Sequence, residues 1–414
     1  MEHRADNYEC VQKYPILKGY LNYFNQVSRN NEIPGLLSFF FIQGQTAIPY
    51  VRIPVGGSNL DPRVSIFWIQ DTRTGKTAAF QIIEDVMKAA DLEVVDYNSG
   101  NDAALVGTLV PDPESENQQH PDMMVRPGIL AGRKGLNFDE GSVLLKTGQH
   151  SENTTLFLQS ALNSAGTGRN MLVKHMARET FEIKSEVSLW ITTYPPKGIK
   201  EHVLNKGIFQ RVLTYWRNWT LEMKRNVAHE LADAVHNRPT FKVSFDKISE
   251  HFIELKDRLK KRTLELAGLT NLEWDEMVED DQERVTMGIM DDMFVISGSY
   301  IPALIAAIDE YYHLIENMST DKQGVCASFI MGLQNYTSVI AHHMAMLEGT
   351  WTVTGDHIDM AKEILYDLYQ NLIHWLESEV KVGQADSERK KIEKSWKTSY
   401  ARCEQFDFPD GRGE

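Results

Sequence analysis

The chain has 414 residues, a formal net charge of −15, and 42% hydrophobic and 24% charged residues. This is a globular composition with room for two or three domains and a large core. The acidic balance excludes a protein that coats nucleic acid with its whole surface, so any nucleic-acid site must be a local basic one.

The longest apolar run, around Leu36–Ile42, is too short to span a bilayer, and Met1-Glu-His-Arg-Ala-Asp carries no basic-then-apolar leader. Cys10, Cys326 and Cys403 lie far apart. They form neither a zinc pattern nor a disulfide framework, and a reducing, cytoplasmic setting is expected.

In chain order, Tyr14, Leu17, Leu21 and Phe24 recur at helical spacing and predict two helices over 12–45, the second opened by Pro34. Residues 48–63, with Pro54, Gly56, Gly57, Asp61 and Pro62, read as an irregular connection. An α/β pattern runs from 64 to about 217. A buried strand at 64–69 leads into a turn and a helix at 76–90. A second strand covers about 93–97, and a short helix about 101–110. Residues 111–122 are loop-like. A strand ends at Phe138-Asp139-Glu140, and a helix follows at about 152–164. Met171–His175 and Thr180–Ile183 read as a hairpin, and Val187–Thr192 as another strand. A final strand is expected at about 208–215. Strands alternating with helices imply a mostly parallel sheet covered on both faces. From 219 onward the pattern is helical almost throughout, and residues 383–414 are polar.

The chemistry concentrates in Gln70-Asp-Thr-Arg-Thr-Gly-Lys-Thr77. A buried strand, a turn ending in Gly75-Lys76-Thr77 and a following helix make the layout of a phosphate-binding loop. Backbone N–H groups of Asp71, Thr72, Arg73, Thr74 and Gly75 would wrap phosphate, Lys76 would reach the outer oxygens, and the Thr77 hydroxyl would hold Mg²⁺. The helix N-terminus adds a favourable dipole. Gln70 stands where such loops carry their first glycine.

Such a loop needs an acidic partner on a neighbouring strand. Asp139 is expected on the metal side and Glu140 as the base toward water. Thr192 and Thr193 end a strand, where a hydroxyl can sense the terminal phosphate. Arg211 precedes the last strand and could reach a neighbouring subunit's nucleotide, with Arg217 as a second choice. Arg169, Lys174, His175 and Arg178 cluster on the hairpin and could grip the phosphates of a single strand. His342 and His343, adjacent on a helix, point about 100° apart and make poor co-ligands for one metal. Ala165-Gly-Thr-Gly168 lacks the flanking strand and helix of a dinucleotide loop, and Asp291-Asp292 reads as a solvated face.

With these residues in place, the chain resembles the phage- and plasmid-type replicative helicase and primase-helicase ATPases. More distantly it is similar to minichromosome-maintenance and other AAA+ helicases. The resemblance covers roughly 14–380. It is carried by Val51-Arg-Ile-Pro, Ser65-Ile-Phe-Trp-Ile, Asn98-Ser-Gly-Asn-Asp-Ala, the short Phe-Asp-Glu strand, the hairpin before Thr192-Thr193 and Gly207-Ile-Phe-Gln-Arg211. In the helical tail, Ser338–Gly349 and Thr352-Val-Thr-Gly-Asp-His-Ile-Asp-Met-Ala361 extend it. It implies an ATP- and Mg²⁺-dependent motor, a hexameric ring acting on single-stranded DNA beside other replisome proteins, with no membrane association. For a viral member the compartment is the host cytoplasm. Three departures stand out: Gln70, the lack of an arginine near Ser338–Ala345, and no priming segment before residue 14.

The expected architecture is therefore an AAA+-like P-loop NTPase of α/β class. It has a helical lead-in (1–60), a parallel-sheet ATPase core (61–218), an all-α C-terminal domain (219–382) and a polar tail (383–414). In the tail, Gln405-Phe-Asp-Phe-Pro-Asp could dock a partner, though a frayed terminus is the simpler reading. Two rival readings are a P-loop kinase acting on a small molecule and a replisome scaffold that hydrolyses little.

Overall fold

The computed structural model describes residues 5–55, 58–97, 102–113, 123–139, 141–145, 149–165, 170–175, 180–196, 199–200, 207–234 and 242–381. Glu140, Arg169, Arg178, the 166–168 part of the glycine segment, Cys403 and the polar tail lie outside them.

After a short helical turn at Glu9–Lys13, two longer helices, α1 (Pro15–Val27) and α2 (Glu32–Ala47), precede the sheet. Helix α2 is buried on every face: each residue from Ile33 to Ala47 is buried, and its polar Ser38, Gln43, Gln45 and Thr46 are hydrogen-bonded inside. A helix of that kind is stable only inside a core. It touches α1 and the sheet, and Gly44 lets its backbone approach the chain at Pro62, whose carbonyl oxygen would lie 2.5 Å from an added Cβ. Residues 48–63, expected to be irregular, contain a small antiparallel hairpin, Ile53–Val55 with Ser58–Leu60.

The central sheet is built from β1 (Ile66–Gln70), β2 (Val94–Tyr97), β3 (Gly132–Asp139), β4 (Thr180–Thr193) and β5 (Leu213–Arg217). Its order is β5-β1-β4-β3-β2, and every pair along it is parallel. Helix α3 (Lys76–Ala89) follows β1, and α4 (Gln149–Ala161) lies between β3 and β4. All five residues of β1 are buried, as a central parallel strand covered on both faces requires. Trp68 and Trp190 meet edge-on at 6.0 Å, and Phe41 of α2 meets Trp190 at 5.9 Å. The lead-in helix thus forms part of the sheet's own core.

Two strand expectations change. The hairpin strand and the strand ending in the threonines are one element, β4. Its first residues alternate exposed and buried while pairing with Met171–His175, and its second half is buried on both faces within the sheet. That change of burial pattern is what reads as two strands. The last strand starts at Leu213 rather than near 208. Gly207, at φ +77°, opens a turn in which the Arg211 N–H donates to the Ile208 carbonyl.

A second hairpin, Gly107–Pro111 with Met123–Pro127, sits between β2 and β3 where a helix and loop were expected. Of the helix, only Asp102–Leu105 is present.

The C-terminal segment carries α5 (Leu221–Ala234), α6 (Lys242–Ala267), α7 (Tyr300–His313), α8 (Thr320–Glu348) and α9 (Gly355–Glu379). It is not purely helical. Val295–Ile296 pairs in parallel with Thr352–Val353, and Val380–Lys381 pairs with Ile199–Lys200. Strands of two residues leave no periodicity to read. The apolar side chains of lead-in, sheet and C-terminal helices join one continuous core.

His342 and His343 diverge as expected. His342 Nδ1 donates to the Ser338 carbonyl at 2.8 Å and the ring lies edge-on to Phe294. His343 Nε2 donates to the Pro62 carbonyl at 2.8 Å and its ring rests near Phe40. Burial pushes the two imidazoles down to about 4 and about 3. Asp291 and Asp292 are exposed. Among the described residues no helix is long and apolar enough to cross a membrane.

Candidate functional site at the carboxyl rim of the sheet

The carboxyl ends of β5, β1, β4 and β3 fall nearly level. Arg217 pairs with Gln70, Thr193 with Ile69, and Asp139 with Thr192. In open parallel sheets this rim is where ligands bind. The loop Asp71–Gly75 leaves β1 here and enters α3 at Lys76.

The loop is held in a defined shape. Gly75 has φ +89° and Arg73 φ +61°. Left-handed residues within a tight turn are one component of the concave N–H runs that bind anions. Gly75 also needs its missing Cβ, because an added one would lie 2.9 Å from Ser28 Oγ. The Thr74 hydroxyl donates to the Asp71 carbonyl at 2.6 Å. Lys76 Nζ donates to the carbonyls of Gln70 (2.5 Å) and Asp71 (2.7 Å). Burial pushes the Lys76 ammonium down to about 8, while the carboxylates of Asp139 and Asp71 oppose that shift. Lys76 and Asp139 are therefore close enough to interact electrostatically across one rim.

Gln70 does not loosen the loop. It is fully buried, its Oε1 accepts from Trp68 Nε1 at 2.9 Å, and its Nε2 donates to Asn31 Oδ1 at 2.9 Å. Asn31 and Ser28, in the turn between α1 and α2, then bond to the loop carbonyls. Neither stood out in the sequence, where Ser28-Arg-Asn-Asn31 is only a polar break between helices.

The remaining expected residues divide by location. Thr77 is exposed on the first turn of α3, and Thr72 and Arg73 are exposed in the loop. Asp71 is already engaged in an ion pair with Lys224 of α5 at 2.6 Å. Asp139 is exposed and accepts a hydrogen bond from the buried Thr192 hydroxyl at 2.6 Å. Thr193 is buried, and its hydroxyl donates to the Tyr194 carbonyl at 3.3 Å, so Thr192 is the threonine aimed at the acid. Glu140 lies outside the described residues.

Arg211 stands at the other end of the sheet. It precedes Leu213, which pairs with Ile66, so roughly 13 Å of strand separates its level from the loop. Its Nε donates to Asn163 Oδ1 (3.1 Å) and its Nη1 to the Gly207 carbonyl (2.7 Å), and burial lowers its pKa. It lines a cavity of about 240 Å³ with Asp61, Arg63, Asn163, Asn335 and Tyr336. The arginine on the loop's side is Arg217, which donates to the Asn30 carbonyl and lies 5.9 Å from the Trp219 ring centre.

The hairpin Met171–His175 with Thr180–Lys184 is also at the amino end of the strands. Lys174 Nζ donates to the Gly107 carbonyl at 2.8 Å, which ties the two hairpins together. His175 Nδ1 and Thr180 Oγ1 are 2.9 Å apart. Arg169 and Arg178 lie outside the described residues.

Among the described residues no three His, Cys, Asp or Glu side chains gather into a metal site. Mg²⁺ does not need such a cage, since it commonly binds through one or two protein oxygens, water and substrate phosphates. Exposed Thr77 and Asp139 have the right oxygen chemistry for that mode. The donor set also suits a phosphate: a half-buried ammonium hydrogen-bonded, among the described residues, to neutral carbonyls, at a helix N-terminus.

No protein-family model matches the chain, and no curated protein matches it. Its architecture is an α/β fold around a mostly parallel sheet.

Proposed function

We propose that the chain is a P-loop NTPase of AAA+-like architecture that hydrolyses ATP with Mg²⁺ and drives movement along single-stranded DNA. The observation that carries this reading is the shared rim. Lys76 and Thr77 follow β1, Asp139 ends β3, and Thr192 of the intervening strand donates to Asp139. Phosphoryl transfer needs little covalent chemistry from a protein. It needs phosphates positioned and their developing charge neutralised.

Each residue then has a defined task. The loop N–H groups and the α3 N-terminus bind phosphate oxygens. Lys76 exchanges its bonds to the neutral Gln70 and Asp71 carbonyls for the charged outer phosphate oxygens. Thr77 and Asp139 would hold Mg²⁺, which supplies further charge neutralisation when bound. Thr192 keeps the Asp139 carboxylate oriented. Glu140, next in sequence, is the proposed base toward water. Arg211, at the opposite end of the strands, could serve only a neighbouring copy's nucleotide, which fits a ring with sites between subunits.

The DNA part of the proposal rests on the paired hairpins at the sheet's amino end, with Lys174 and His175 there and Arg169 and Arg178 in the same segment. A replicative hexamer is the assembly this implies, in a cytoplasmic setting.

The test is ATP turnover with and without single-stranded oligonucleotide. Lys76→Ala should abolish turnover while leaving the circular dichroism spectrum unchanged. Undiminished turnover in that variant would remove the proposal. Turnover stimulated by a small acceptor and not by DNA would favour a kinase instead. Nucleotide binding with negligible turnover would favour a scaffold.

A further inference from the structure

We infer that Asn31, with Ser28, is a positioning residue for the phosphate loop: from the turn between α1 and α2 it pulls the loop's carbonyls inward and so aims the amides of Gly75 and Lys76 outward. The inference rests on the nucleotide site proposed above and adds a part of it that lies outside the loop and the sheet.

In a trans peptide the C=O of one residue and the N–H of the next point in opposite directions. Whatever holds the Thr74 carbonyl therefore also directs the Gly75 N–H, and whatever holds the Gly75 carbonyl directs the Lys76 N–H. Asn31 Nδ2 donates to the Thr74 carbonyl at 2.8 Å, and Gln70 Nε2 lies 3.4 Å from the same oxygen. Ser28 Oγ donates to the Gly75 carbonyl at 3.0 Å, which also accepts from the Ala79 N–H at 2.9 Å. Both carbonyls are thus drawn toward α1, α2 and α3, and the two following amides face the other way.

The brace is itself fixed. Asn31 Nδ2 also donates to Ser28 Oγ at 2.9 Å, and Asn31 Oδ1 accepts from Gln70 Nε2. Ser28, Asn31 and Gln70 are all fully buried. In a dry setting each of these bonds is strong, and losing one partner strands the others. Asn30 adds a neighbouring tie by accepting from Arg217, which pairs with Gln70 in the sheet. Gln70 in the first-glycine position therefore adds a third tie, from the end of β1, to the two direct bonds by which Asn31 and Ser28 hold the loop.

A residue that shapes the loop equally before and during reaction supplies uniform binding, so its loss raises KM and leaves kcat nearly unchanged. The experiment measures the Kd of a fluorescent ATP analogue and steady-state ATP turnover for the full-length protein and three variants. Asn31→Ala is expected to weaken binding and raise KM about fivefold or more, with kcat within about twofold, as for one buried hydrogen bond. Asn31→Asp keeps the size and the acceptor but turns a carboxylate toward the Thr74 oxygen, so it should do no better than alanine. Ser28→Ala, a gentler change, should show the same KM effect in smaller measure, and it carries the test where Asn31 variants fold poorly. Wild type that binds the analogue while Ser28→Ala and Asn31→Ala bind it equally well would overturn the inference alone. Wild type that binds no analogue would take the nucleotide site, and this inference with it.

Discussion

The Thr192 hydroxyl donates to Asp139 Oδ1 at 2.6 Å, across the two strands whose ends pair at those very residues. Thr192 is 2% exposed, whereas Asp139 faces solvent. A buried hydroxyl thus fixes the rotamer of an exposed carboxylate. Thr192→Val keeps the shape and removes the donor. The fold should survive, because the carboxylate stays hydrated. Turnover should fall about tenfold or more with KM little changed, since a misaimed acid matters most when charge develops. The check is kcat beside a thermal melt. An unchanged kcat would show that Asp139 needs no such orientation.

Lys76 makes the site sensitive to pH. Burial lowers its ammonium to about 8, against the pull of Asp139 and Asp71. The folded value lies below the unfolded one, so the folded state holds fewer protons between about pH 8 and the ordinary lysine range near 10.4. This group's contribution to stability therefore increases as pH rises through that window. Binding runs the other way. An anion against the ammonium restores its pKa, so nucleotide binding should take up a fraction of a proton at pH near 8.5 and weaken as pH climbs. Calorimetric titration in two buffers of different ionisation enthalpy measures that uptake. Lys76→Arg, which cannot deprotonate, should lack it. Equal uptake in both proteins would assign the proton to another group.

Glu186 carries the most demanding charge network. Its Oε1 meets Arg52 Nη2 at 3.2 Å, and its Oε2 meets Arg133 Nε. Arg52 is 1% exposed and also reaches Glu283 at 3.5 Å. Lys184 completes the group by pairing with Glu283 and with Asp280 at 3.2 Å. The cluster joins the lead-in, β3, β4 and the C-terminal helices. Removing one carboxylate leaves a buried guanidinium short of its partner, a change that typically costs about 3–5 kcal/mol. Glu186→Gln should therefore lower the urea midpoint sharply. A shift worth less than about 1 kcal/mol would mean that Glu283 and water take over.

What the sequence disclosed, and what it hid, follows from range. The run Ile66–Gln70, the turn and α3 are one local pattern, and each part names the next. Thr192 and Asp139 were legible as strand ends, but which threonine faces the acid depends on register, and register is a long-range property. The division of β4 into two strands was an effect of burial: the same strand alternates where it leaves the sheet and is wholly apolar inside it. The Asn31 brace was hidden for another reason. Its partners are loop carbonyls more than 40 positions away, as for Thr74 at a separation of 43, and backbone acceptors leave no mark in side-chain pattern. Gln70 looked like a defect by comparison with the expected glycine, and only its buried neighbours give it a purpose.

Arg211 offers the sharpest test of the assembly. Within one chain it sits at the amino end of the strands, engaged with Asn163 and Gly207, while the loop lies at the carboxyl end. If its role is to complete a neighbour's site, Arg211→Ala should lose turnover yet keep nucleotide binding. Its defect should then be repairable by mixing. A Lys76→Ala subunit cannot turn over ATP itself but still presents its arginine. Random mixing of the two inactive proteins should restore activity at roughly a quarter of interfaces. If Arg211 instead serves its own chain, by holding the turn at Gly207 against α8, mixing restores nothing and the Arg211→Ala protein melts earlier. Turnover of the mixture, measured against each variant alone, separates a site shared between subunits from a structural arginine.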